Sequence, residues 1–112
     1  MRKIKDKNLR KILLEINSLL NQFLEGKYQL ILFGSRARGE ESEYSDVDLM
    51  VILDDKISNF ETKEKIRDII HDFSLKYPHL FSVIIVSKSL AEKRKGFLVF
   101  DSIEKEGIAI GG

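Results

Sequence analysis

The chain has 112 residues, 43% of them hydrophobic and 33% charged, with a formal net charge of +1 from 19 basic and 18 acidic side chains. That length suits a single domain, read as residues 1–112, with a modest core; the near-neutral balance gives no strong nucleic-acid signal and argues against broad electrostatic capture of DNA or RNA. No cysteine is present, so disulfides and thiolate-held zinc are excluded. The basic start MRKIKDKNLR lacks the apolar stretch of a signal peptide, and no apolar run nears the roughly 18 residues of a membrane span. A cytoplasmic protein with no membrane association is expected.

The first segment carries Leu9, Ile12, Leu13, Ile16, Leu19, Leu20, Phe23 and Leu24 at helical spacing, which predicts one wide apolar face. Asp6 is its expected N-cap and Gly26 its stop. Residues 28–33 (YQLILF) read as a buried strand running straight into Gly34-Ser35. Residues 36–45 are polar and contain Gly39, predicting a loop that opens with a short helical turn. Residues 46–53 (DVDLMVIL) form the second predicted strand. After it, Ser58-Asn59-Phe60-Glu61 has capping-box spacing. A helix is expected next, with Ile66, Ile69, Ile70, Phe73 and Leu75 on one side and Pro78 beyond its end.

Residues 81–86 (FSVIIV) read as the third strand, and Ser87 as the cap of a short charged helix ending at Gly96. Leu98 to Glu106 predicts a last helix, stopped by Gly107. Ile108-Ala109-Ile110 reads as a short edge strand. The fold class expected is α+β: a small mixed sheet packed with helices. Twelve residues, 34–45, are short for a crossover containing a full helix. The first two strands are therefore expected to be antiparallel, which brings Gly34-Ser35 and the start of the second strand to one end of the sheet.

That juxtaposition carries chemistry. Residues i and i+2 of a strand point to one face, so Asp46 and Asp48 project together, roughly 6–7 Å apart along the strand. Carboxylates at that spacing can converge on divalent metals about 3.5–4 Å apart, the arrangement used in phosphoryl and nucleotidyl transfer. Hard oxygen ligands favour Mg²⁺ or Mn²⁺, with triphosphate oxygens completing the shell. Gly34 has no Cβ and lets a phosphate approach the backbone. Ser35 offers a hydroxyl and an N–H, and Arg36 and Arg38 are candidates to neutralise triphosphate charge. Taken singly, each element has a plainer reading as a turn, a solvated strand start or a solvent-facing arginine. Jointly, between two apolar strands, they point to a nucleotide-and-metal site. His71, with no second ligand at i+4, reads as structural or solvated, and Glu92-Lys93-Arg94-Lys95 as a solvated helix face.

GSRARGEESEYSDVDL resembles the signature of the nucleotidyltransferase superfamily: Gly-Ser, ten residues, then Asp-x-Asp. The Arg-Ala-Arg-Gly after the serine, the short chain and the closing Ile103-Glu104-Lys105-Glu106-Gly107-Ile108 are similar to the minimal, MNT-type members. The resemblance implies that Gly34 and Ser35 bind a triphosphate and that Asp46 and Asp48 are catalytic metal ligands. It implies transfer of AMP from ATP, or another nucleotide from its triphosphate, to a hydroxyl. It also implies an antitoxin role on a helical HEPN-type partner protein. One position departs from the pattern. The family usually carries a third carboxylate on the third strand, and the matching residue here is Ser82. A neutral hydroxyl neither balances metal charge nor makes a strong base. Asp54 shares the parity of Asp46 but lies some 26 Å along the strand. Asp101, Glu104 and His79 remain as substitutes of unfixed position.

An enzyme, a Mg²⁺-dependent nucleotidyltransferase, is the favoured reading. The alternative is an impaired module that binds a nucleotide or partner. A purely structural ferredoxin-like interaction domain would leave the Gly-Ser and Asp-x-Asp placement as coincidence.

Overall fold

A carboxylate starts the first helix. Asp6 is extended, and its side chain accepts hydrogen bonds from the N–H groups of Asn8 and Leu9, capping α1 (Lys7–Leu24). The helix ends through Glu25 at φ 52° and Gly26 at φ 78°, a left-handed exit that glycine makes without steric cost. Leu9, Ile12, Leu13, Ile16, Leu20 and Leu24 are buried, while Leu19 stays exposed. The computed structural model describes residues 4, 6–38, 46–94 and 98–111. The loop expected over 39–45 and the helix stop expected at Gly96 lie outside them.

The remaining elements follow in chain order: β1 (Tyr28–Phe33), α2 (Ser35–Arg38), β2 (Val47–Leu53), α3 (Phe60–Lys76), β3 (Phe81–Ser87), α4 (Lys88–Lys93), α5 (Leu98–Glu106) and β4 (Ile108–Gly111). The sheet order is β3-β2-β1-β4. β1 pairs antiparallel with both β2 and β4, and β2 pairs parallel with β3. The fold is α+β with a mixed four-stranded sheet, as the hydrophobic pattern predicts.

Strand alternation sorts the side chains onto two faces. Leu30, Leu32, Val47, Leu49, Val51 and Leu53 join the buried residues of α1 and α3, including Ile66, Ile70 and Phe73, in the main core. Each such aliphatic side chain stabilises the fold by roughly 1.5–3 kcal/mol on burial. The other face carries a smaller cluster, Met50, Val86 and Ile103, with Ile31, Phe33, Ile52, Ala91 and Phe100 against it. α4 and α5 cover that second face.

Three local differences from the sequence reading have physical reasons. Asn59, not Ser58, caps α3, its side chain accepting from Thr62 N–H at 2.9 Å. Ser58 instead closes a 3-10 turn at 55–57, which Asp54 caps. Leu75 is 74% exposed because it turns out of the stripe set by Ile66, Ile70 and Phe73. α4 ends at Lys93, capped at its start by Ser87 as expected. The Ser89 N–H and hydroxyl both donate to Asp55, tying α4 to the 3-10 turn. Those bonds hold the Asp55 carboxyl below the usual carboxylate range, helped by Lys88 and Lys93 nearby.

Candidate active site

The antiparallel β1–β2 pair brings the end of one strand beside the start of the next. Phe33 lies opposite Asp48 in register, and Gly34 follows at φ 77°. A Cβ at Gly34 would overlap Asp48 Oδ2 and lie 3.2 Å from its Cγ. The Asp48 carboxylate therefore rests against the glycine backbone, a closeness only this residue permits. The Gly34 carbonyl accepts from Ala37 N–H at 3.1 Å, opening α2 directly after the strand. The side chains of Ser35 and Arg38 are outside the described part of the structure.

Asp48 is half-buried on the face that also carries Met50 and Ile52. Asp46 is exposed, one residue ahead of β2 rather than inside it. Strand alternation carried back by that residue puts it on the Asp48 side. β3 adds a third oxygen. Its register sets Ser82 beside Asp48, and Val47 N–H donates to Leu80 carbonyl at 2.9 Å, fixing the alignment at this end. Ser82 is exposed. The register thus puts a serine at the β3 position where the resemblance leads one to expect an acid.

The other candidates take other places. Arg36 is 6% exposed, and its guanidinium lies 3.8 Å from Asp6 Oδ2. It links α2 to the capped start of α1. His79 precedes β3, edge-on to Phe81 with ring centroids 6.0 Å apart, and its Nδ1 is buried without a hydrogen-bond partner among the described residues. It lines a pocket with Asp6, Lys11, Glu15 and Tyr77 that neither Asp46 nor Asp48 lines. Asp54 is at the opposite end of β2, where it accepts from Lys56 N–H at 3.0 Å. Among the described residues, no group of three or more acids and histidines is assembled for a metal.

Two carboxylates remain, one of them resting against the Gly34 backbone, with the Ser82 position beside it. That donor set fits a hard divalent cation, which commonly takes one or two protein carboxylates and completes its shell with phosphate oxygens. Asp46 and Asp48 would hold it.

Sequence reasoning did not find the Asp6–Arg36 link or the cavity farther along the same face. The cavity, of about 390 Å³, is lined by Gln29, Ile31, Met50, Ile52, Phe100 and Ile103, among others. Its signal was present in the alternation of β1 and β2, but the covering helix could be placed only by the fold.

The nucleotidyltransferase domain model matches residues 7–109. The chain belongs to the nucleotidyltransferase domain family. It is 34% identical over 96 residues to a Methanocaldococcus jannaschii protein described as "Putative protein adenylyltransferase", covering 86% of this chain and 88% of that one. A second protein of the same description and organism is 39% identical over 80 residues, 63% of this chain and 54% of the relative. A crystal structure described as a "putative nucleotidyltransferase" from Sulfolobus solfataricus superposes with a TM-score of 0.58 at 17% identity. That match covers 91% of this chain and 78% of the other, and shows a shared fold. Membership of this family implies a nucleoside triphosphate donor and, in general, a divalent metal. No helix among the described residues is long and apolar enough to cross a membrane.

Proposed function

We propose that this chain transfers a nucleoside monophosphate, AMP from ATP in the working case, to a hydroxyl on a protein acceptor. The observation that carries the reading is the pairing of Asp48 with Gly34 at a sheet end that also holds Asp46. The description of the relatives as protein adenylyltransferases supports AMP and a protein acceptor.

Gly34 lets the Asp48 carboxylate close against the backbone, beside the turn that takes the donor's phosphates, and Ser35 begins the helical turn there. Arg36 acts through position, holding α2 to the start of α1 through Asp6. Asp46 and Asp48 carry the negative charge that retains Mg²⁺ or Mn²⁺. When bound, the ion supplies charge neutralisation at the triphosphate. The acceptor hydroxyl's oxygen bonds to the α-phosphorus, its proton passes to solvent, the bond from that phosphorus to the bridging oxygen breaks, and pyrophosphate leaves with the electron pair. The open position of Asp46 suits an acceptor that docks from outside. A helical HEPN-type partner, with the chain as its antitoxin in the cytoplasm, is the finer form of the proposal and rests on the sequence resemblance.

Labelled ATP, Mg²⁺ and the neighbouring gene's product test the proposal. Label is expected on the partner, with Asp46→Asn and Asp48→Asn each lowering the rate by more than the ~10–100-fold typical of groups one shell out from a metal. Transfer undiminished in both variants would sink the assignment.

A second reading is favoured by one feature. Ser82, not an acid, neighbours Asp48, so the chain could bind nucleotide or partner with little turnover. Ser82→Asp separates the two. A large gain in metal affinity and rate supports the binding module, whereas a full rate in the unaltered chain removes it.

A further inference from the structure

We propose that Ser82 is itself a nucleotide acceptor, so that the chain modifies its own β3. The proposal rests on the nucleotidyltransferase reading above and adds a site to it. Register places Ser82 next to Asp48 on the neighbouring parallel strand. Strands in a sheet lie about 4.8 Å apart, and in-register neighbours project to the same face. The hydroxyl therefore stands on the face where the donor's α-phosphorus would be held, one strand spacing from the metal-binding carboxylate. It is exposed, between Leu80 at 63% and Ile84 at 36% exposure on the same side of β3. Among the described residues, the outer edge of β3 has no strand partner, because β3 ends the sheet.

A carboxylate at this position would act as ligand or base, and its acyl phosphate would be a labile product. A hydroxyl has a further option, since its adduct is a stable phosphodiester. Ser82 Oγ bonds to the α-phosphorus of ATP, and the α-phosphorus bond to the bridging oxygen breaks. Pyrophosphate departs with the electron pair, and the hydroxyl proton passes to water at this exposed position. The adenylyl group then sits above Asp48 and obstructs entry of a second nucleotide. Pyrophosphate, as the leaving group, reverses the step and regenerates ATP.

The test uses the purified full chain, ATP and Mg²⁺, with denaturation before intact-mass and peptide mapping. A mass gain of one adenylyl group per chain, mapped to Ser82 and removed by added pyrophosphate, is expected. Ser82→Ala and Asp48→Asn should each lose the adduct, and Ser82→Thr should retain it on the new hydroxyl. Thermal melts of the variants show whether each has folded. Equilibrium dialysis of ATP and transfer to a partner protein are measured on the unaltered chain in parallel. If that chain binds ATP or labels a partner but carries no adduct at position 82, self-modification is wrong and the nucleotidyltransferase reading stands. If it neither binds ATP nor transfers label, both fall.

Discussion

Along β2, Val47, Leu49, Val51 and Leu53 are fully buried in the core made with α1 and α3, while Asp48, Met50 and Ile52 face the other way. The first set has no polar member. The second changes character along its length, from a carboxylate at the Gly34 end to apolar residues under α5. One strand thus has a wholly apolar side and, on the other, the carboxylate to which the proposal gives the metal. The separation is a consequence of period-two alternation: a side chain on one face is shielded from changes on the opposite face by the strand itself. Function can therefore vary at positions 46, 48 and 82 at small cost to the fold, since none of the three is buried.

Paired substitutions on this strand test the comparison with the largest expected effect. Leu49→Ala removes a fully buried side chain from the main core and should cost about 2–5 kcal/mol, read from urea denaturation midpoints. Asp48→Asn, on the adjacent residue, keeps the side chain's size and should shift the midpoint by less than Leu49→Ala does, while removing nucleotide transfer. If Asp48→Asn unfolds the chain as Leu49→Ala does, the two faces are not separable.

Gly34 sharpens the contrast, because it belongs to both accounts. Its φ of 77° strains any L side chain, by about 1–3 kcal/mol, and an added methyl would displace the Asp48 carboxylate. Gly34→Ala is therefore expected to lower stability moderately and nucleotide binding severely. Binding by dialysis at a temperature where the variant is fully folded separates the two effects. Normal binding there would show that the closeness of Gly34 and Asp48 is incidental.

Much of this arrangement was legible in the sequence, for local reasons. Asp6 as cap, residues 28–33 as strand and Leu98–Glu106 as helix each follow from a few adjacent residues. The antiparallel pairing followed from the short connection, and with it the meeting of Gly34 and Asp48. The choice of Ser82 as the third-strand position of interest came from the family resemblance, and the register sets it beside Asp48. What escaped were matters settled by distant partners. Leu19 and Leu75 fit the periodicity of their helices, yet both are exposed, because the width of a buried stripe is set by what packs on it. Arg36 is buried beside Asp6, thirty residues earlier, a neighbour that only the fold supplies. His79 had no fixed position in the sequence, and its half-buried place comes from the segment between α3 and β3 folding back over α1.

The smallest predicted effect concerns the opposite end of β1 from Gly34. Tyr28 is buried, and its hydroxyl donates to both the carbonyl and the side-chain oxygen of Asn17 on α1. Burial raises the phenol's pKa above 10.0, because the charged form would lose its hydration. An unfolded chain releases this proton near pH 10, whereas the folded one keeps it to higher pH. The folded state then binds more protons, so the Tyr28 contribution is fully present below pH 10 and declines as pH rises through the folded value. Tyr28→Phe should cost about 0.5–1.5 kcal/mol at pH 8 through the lost hydrogen bond. The gap to the unaltered chain should narrow above pH 10, in denaturation midpoints measured at pH 8 and pH 10.5. A gap that holds constant would mean that the phenol is no harder to ionise folded than unfolded. Either result leaves nucleotide transfer at pH 8 unchanged if the packed face and the reactive face are as independent as β2 implies.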